Sequence, residues 1–139
     1  MMSSTEIEKA LNIIFSFEFG VFGITITLFT VIYSFMLNKK GELLAFNEIF
    51  KRKKTESPIL NQKISFSRSY IKKSKRLNLH LMILAMISFT ISISTYFLIL
   101  FSVNNWTVYV MLTFTFITLI YILTLLIIIF DKFLKETNI

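Results

Sequence analysis

From Leu77 to Phe130 the chain carries no Asp, Glu, Lys or Arg, and His80 is its one basic-capable side chain there. That stretch is 54 residues long. A helical bilayer crossing needs roughly 20 apolar residues, so the stretch holds two. "NNW", Asn104 to Trp106, divides it into spans over about 79–103 and 108–130. Another span covers about 13–37, with Glu18 as its one charge, and Phe19 to Leu37 is by itself 19 residues. Trp106 and Tyr109 are expected at headgroup depth, where amphipathic rings sit.

A water-soluble fold is excluded by composition. Charged residues are 17% of the 139 and hydrophobic ones 55%, with mean hydropathy +0.70, whereas soluble domains carry about 25% charge. A soluble core of this size cannot hide so much apolar surface. A barrel is excluded by pattern, because "LIYILTLLIIIF" does not alternate as barrel strands do. Pro58, the single proline, lies between spans, so no span is kinked by proline. The expected fold is an all-α membrane protein, one membrane domain over 1–139. It has three transmembrane helices and a basic, amphipathic cytoplasmic loop over 38–76.

The charge distribution gives direction. Residues 38–76 hold 12 of the 15 Lys and Arg against three Glu, while the flanking segments are slightly acidic or neutral. Basic loops stay in the cytoplasm. The expected location is therefore integral to a bacterial cytoplasmic membrane, N-terminus outside and C-terminus inside. Lys39 and Lys40 mark the inner edge of the first span, and Lys72, Lys73, Lys75 and Arg76 that of the second. A cleaved signal peptide fits poorly, since the residues before span one are net acidic and no A-x-A-like site follows it.

Two spans carry stripes of small residues. In the first, Ser16, Gly20, Gly23, Thr27, Thr30 and Ser34 recur in steps of three and four, and in the second Ala85, Ser88, Ser92 and Thr95 do the same. Such stripes let membrane helices approach closely and bond through hydroxyls. They are expected either to pack spans one and two against each other, or to meet another subunit or line a polar path. Homo-oligomerisation is expected in both cases. Thr113, Thr115, Thr118 and Thr124 share no single stripe, so span three reads as the most lipid-facing.

Glu18 lies opposite the first stripe, on the side of Thr25 and Phe29. An intramembrane acid is by default a candidate functional group. The plainer expectation is that Glu18 sits near the outer surface and reaches water. His80, one turn past Arg76, reads as a structural interfacial residue, with pH sensing as the alternative.

In the basic segment, Gly41 reads as a helix stop. Leu43, Phe46, Ile49 and Phe50 then form an apolar face ending in Lys51, Arg52, Lys53 and Lys54. Such a helix lies in the headgroup plane, where each cation near an anionic surface adds about 1 kcal/mol. "TESP" is expected to break it. Residues 59–76 fit a strand or a helix leading into span two, and a helix is favoured because no partner strand is near. The expected contacts of these cations are anionic lipid headgroups, with a cytoplasmic or membrane protein, or a phosphate-rich ligand, as alternatives. No Gly-rich phosphate cradle or nucleic-acid motif supports binding of nucleotide or nucleic acid.

The function classes narrow accordingly. With no Cys and one His, disulfides, thiolate metal sites and Cys nucleophiles are excluded, and no cofactor or metal is expected. Glu18 and His80 are expected near opposite membrane faces, roughly 30 Å apart, so they cannot share a catalytic site, and an enzyme is the least favoured class. Two readings remain, the first slightly ahead. One is a self-assembling membrane effector of pore or channel type, phage-related or from bacterial defence. Its layout, three spans with the N-terminus out and the C-terminus in, resembles three-span phage holins, although here the charge sits in the middle segment and the C-terminal tail is short and neutral. The other is an accessory subunit that anchors or regulates a partner through 38–76. On the assigned orientation, an impermeant lysine reagent added to intact cells leaves Lys51, Lys53 and Lys54 unlabelled until the membrane is opened, and mass spectrometry of the labelled chain reads this directly.

Overall fold

The computed structural model describes residues 3–53, 58–101 and 104–137. They form helix α1, Ser4–Lys53, helix α2, Pro58–Leu100, and helix α3, Asn105–Thr137. All three are long and apolar enough to cross a membrane by length and composition. At 1.5 Å per residue α1 has a contour of about 75 Å and α2 of about 65 Å, well beyond a hydrocarbon layer of roughly 30 Å.

The ends of the helices follow local chemistry. Ser3 Oγ accepts from the Glu6 amide at 3.3 Å, and the Ser3 amide donates to Glu6 Oε2 at 2.7 Å. This reciprocal capping box satisfies amides that the first turn leaves without intrahelical partners. Pro58 opens α2 at the first helical position, where a missing N–H costs nothing. Between the helices, residues 54–57 and 102–103 lie outside the described set, including Lys54, most of "TESP" and the end of the expected second span.

The basic segment differs from its expected form. Gly41 does not stop the helix, because α1 runs through it to Lys53. Glycine costs about 1 kcal/mol relative to alanine in a helix interior, and only a left-handed cap would make it a terminator. The Lys39–Glu42 ion pair, 2.7 Å, spans the position. Nor is 38–76 a loop carrying a separate headgroup helix. Residues 38–53 continue α1 and 58–76 open α2, as the helical alternative for 59–76 expects.

The chain packs as two compact units, Met1–Ile26 with Ile83–Ile139, and Thr27–Met82. In the second, Leu43, Phe46 and Phe50 are half-buried and Ile49 is exposed, and Lys63 Nζ lies 5.8 Å from the Phe46 ring centroid. Ser67, Ser74, Asn78 and Leu81 are buried on α2. Along the whole of α2 the inward positions are Leu60, Ile64, Ser67, Ile71, Ser74, Asn78, Leu81, Ala85, Ser88, Ser92 and Thr95. The steps alternate four and three without a slip, the spacing of knobs-into-holes packing.

In the first unit α1 and α2 run antiparallel. Phe15 meets Tyr96 at 6.0 Å between ring centroids, and Phe22 meets Phe89 at 5.1 Å. The interior is small and hydroxyl-rich, while Phe19, Ile24, Phe97, Phe114, Phe116 and Ile127 face outward. That distribution suits a hydrocarbon solvent, since so large an exposed apolar surface is foreign to soluble monomers.

Ser3 holds the Glu6 carboxyl below the ordinary carboxylate value, first through its backbone amide and then through its hydroxyl. The folded value lies below the unfolded one, so this stabilisation is present above the unfolded value and is lost as pH falls through the folded one. Hydrogen-exchange protection of the Glu6 and Ile7 amides is expected to drop on acidification through that point, and Glu6→Gln, which can still cap, removes the pH dependence.

Candidate functional site

The inward face of α1 in the first unit is Leu11, Ile14, Glu18, Val21 and Thr25, in steps of three and four. Glu18 is on that face because it lies four residues from Ile14 and three from Val21. It is fully buried, at 0% exposure. The expectation that it reaches water is thus overturned. Two helices cover it, and the same face puts Thr25 inside, as its shared side with Glu18 implies.

Thr118 of α3 approaches it. Its Oγ1 donates to Glu18 Oε1 at 2.6 Å and also lies 2.9 Å from the Thr115 carbonyl oxygen. A hydroxyl has one proton, so it serves one of these acceptors at a time. Glu18 Oε2 is buried without a hydrogen-bond partner.

On α2, Ala85, Ser88, Ser92 and Thr95 are all buried. Phe15 and Phe22 bracket Glu18, and their partners Tyr96 and Phe89 bracket Ser92. The antiparallel register therefore sets Ser92 at the level of Glu18, with Ser88 one turn along. Ser88 Oγ and Ser92 Oγ are buried and without partners. Other inward hydroxyls back-bond to their own helix, Thr25 to the Val21 carbonyl at 2.6 Å and Thr95 to that of Ile91 at 2.8 Å. An apolar groove of about 440 Å³, bordered by Leu84, Ile87 and Tyr121, reaches Thr118 between α2 and α3.

The first small-residue stripe sits elsewhere. Ser16, Gly20, Gly23, Thr27, Thr30 and Ser34 are all exposed, and a Cβ added at Gly20 or Gly23 would meet nothing within 4 Å. The expected pairing of the two stripes within one bundle is therefore overturned. Only the α2 stripe turns inward, because α1 presents its Leu11–Thr25 face to the bundle. Span three is covered to the same degree as span one, with four buried residues in each, Ile14, Glu18, Val21 and Thr25 in 13–37 and Val108, Thr118, Ile122 and Leu125 in 108–130. Val108, Thr118, Ile122 and Leu125 are buried on one α3 face with half-buried Met111 and Thr115, while Thr113 and Thr124 point outward.

The structure does not bring the other candidates to this site. Lys51, Lys72, Lys73, Lys75, Arg76 and His80 are exposed. Arg52 and Lys53 belong to α1, but their side chains, like Lys54, lie outside the described ones. No group of three or more His, Cys, Asp or Glu able to hold a metal occurs among the described residues. Thr118 is the residue that sequence reasoning missed. The three-and-four spacing from Val108 through Met111, Thr115 and Thr118 to Ile122 and Leu125 was the available signal.

Compared with protein-family models, with curated proteins and with solved structures, the chain matches none.

The site separates structural from functional value. Thr118→Val leaves both Glu18 oxygens unpartnered and is expected to cost about 1–3 kcal/mol. Glu18→Leu removes the buried carboxyl while Thr118 keeps the Thr115 carbonyl, so stability is expected to hold or rise. Denaturant unfolding in mild detergent checks both, and an acid kept for stability would reverse the second result.

Proposed function

We propose that this is a small, non-enzymatic polytopic membrane protein that self-associates and acts as a membrane-perturbing effector of pore or channel type. The observation that carries this reading is the exposure of the whole Gly/Ser/Thr stripe of α1. Lipid tails give apolar helices no hydrophobic reason to associate, so membrane contacts rely on close packing of small residues and on interhelical hydrogen bonds. Once the intramolecular faces are in contact, this stripe remains outward, with open space above Gly20 and Gly23. A second copy of α1 fits it.

On this reading the first, second and third spans cross a bacterial cytoplasmic membrane with the N-terminus outside. The cationic continuation of α1 and α2 lies in the cytoplasm near anionic headgroups. The phage-related setting rests on the holin-like layout, and the defence setting on the small size of the chain, 139 residues. An accessory role is the second reading, favoured by one feature. Leu44, Ile59 and Phe66 are exposed on the helices that carry the cations, and offer a protein partner an apolar surface.

The chain has no cysteine, so Gly20→Cys supplies a single cross-linking site. Oxidation in membranes is expected to give a disulfide-linked dimer. Overexpression of the wild type is expected to collapse membrane potential. Gly20→Leu with Gly23→Leu is expected to lose both self-association and depolarisation while still inserting. Normal growth of cells holding abundant inserted wild-type protein would reject the effector role and favour the anchor.

A further inference from the structure

We propose that Glu18 and Thr118 form a membrane-embedded proton-binding site, and that proton uptake reverses the hydrogen bond between them. Glu18 is at 0% exposure with Oε2 unpartnered, and an isolated carboxylate in an apolar interior is strongly disfavoured unless it is paired or neutralised. Among the described residues no hydrogen bond or ion pair brings a cation to Glu18. Across from Glu18, α2 from Ile83 and α3 as far as Phe130 hold no Asp, Glu, Lys, Arg or His, and their titratable groups are Tyr96, Tyr109 and Tyr121. On α1 the nearest cation is the exposed Lys9, nine residues away, about 13 Å along the axis. A proton is the smallest charge that balances the site.

The hydroxyl geometry serves both forms. With Glu18 ionised, Thr118 Oγ1 donates to Oε1 across 2.6 Å. With Glu18 protonated, the carboxyl O–H donates to Thr118 Oγ1, whose own proton turns to the Thr115 carbonyl 2.9 Å away. Neither state strands Thr118. Ser92, at the level of Glu18, and Ser88, one turn along, carry buried Oγ atoms that have no hydrogen-bond partner, as does Glu18 Oε2.

The site needs the bundle but not its self-association, so it is tested separately from the effector reading. Infrared difference spectra are taken between the wild type and Glu18→Gln, full chains in lipid vesicles, across a pH series in sodium-free buffer. The expected signal is a carboxyl C=O band at low pH that is replaced by carboxylate bands as pH rises. In Thr118→Val the band is expected to shift to higher frequency through loss of its hydrogen bond, and in Thr118→Ser to return to the wild-type position. Either shift and return, or its absence, is read on protein whose helical content is unchanged by circular dichroism. Absence of the band at every pH, a band that does not change with pH, or an unshifted band in Thr118→Val would overturn the proposal. Loss of the band on adding sodium at fixed pH would also overturn it, in favour of a metal-cation site.

Discussion

The hydrogen bond from Thr118 to Glu18 joins α3 to α1 through residues 100 positions apart in the chain. It is the most demanding contact in the first unit. A carboxyl group inside a helix bundle must be given oxygens and hydroxyls by its neighbours, because hydrocarbon gives it none. Thr118 meets that demand at one carboxyl oxygen, while Thr25 and Thr95 turn their hydroxyls to their own helices and Ser88, Ser92 and Glu18 Oε2 stay buried without partners. The same demand fixes rotation. Turning α1 by a couple of residues would carry Glu18 toward lipid and bring Gly20 inside, leaving α2 and α3 with hydroxyls and no acid to face.

Around this layer the bundle reverses the usual soluble pattern. Hydroxyl-bearing residues such as Thr25, Ser88, Ser92, Thr95 and Thr118 share its interior with Leu and Ile, while many large Phe, Ile and Leu side chains are outside. In lipid this arrangement is consistent, since association there comes from close approach and polar contacts rather than from hiding hydrocarbon. α1 consequently has two useful faces. One fits α2 and α3, and the other holds the Gly and Ser/Thr stripe on which the proposed self-association rests.

The basic part of α2 follows the same three-and-four spacing as its apolar part. Lys72, Lys73, Lys75 and Arg76 fall between the inward positions Ile71, Ser74 and Asn78, so the cations are carried on the outer surface of a helix that never breaks. Reading a loop there came from weighing Gly41 as a terminator and from treating the change of composition as a change of structure. Composition changes at the expected membrane edge, whereas backbone hydrogen bonding continues across it. The capping box at Ser3 and Glu6 and the full seam of α2 from Leu60 to Thr95 were both legible as spacings. Thr118 was not legible as a site residue because Thr113 and Thr124 fall off its face and only Thr115 shares it.

What the sequence determined by itself was local and additive. Stretches without charge fix the number and apolar character of the long helices, and the absence of cysteine removes whole classes of chemistry. What only tertiary structure decided was which face of α1 turns inward. The Leu11–Thr25 face and the Ser16–Ser34 stripe have the same three-and-four period and differ by about half a turn of the helix, so periodicity cannot choose between them. The choice depends on what α2 and α3 present in return, and their buried hydroxyls select the face that carries the acid.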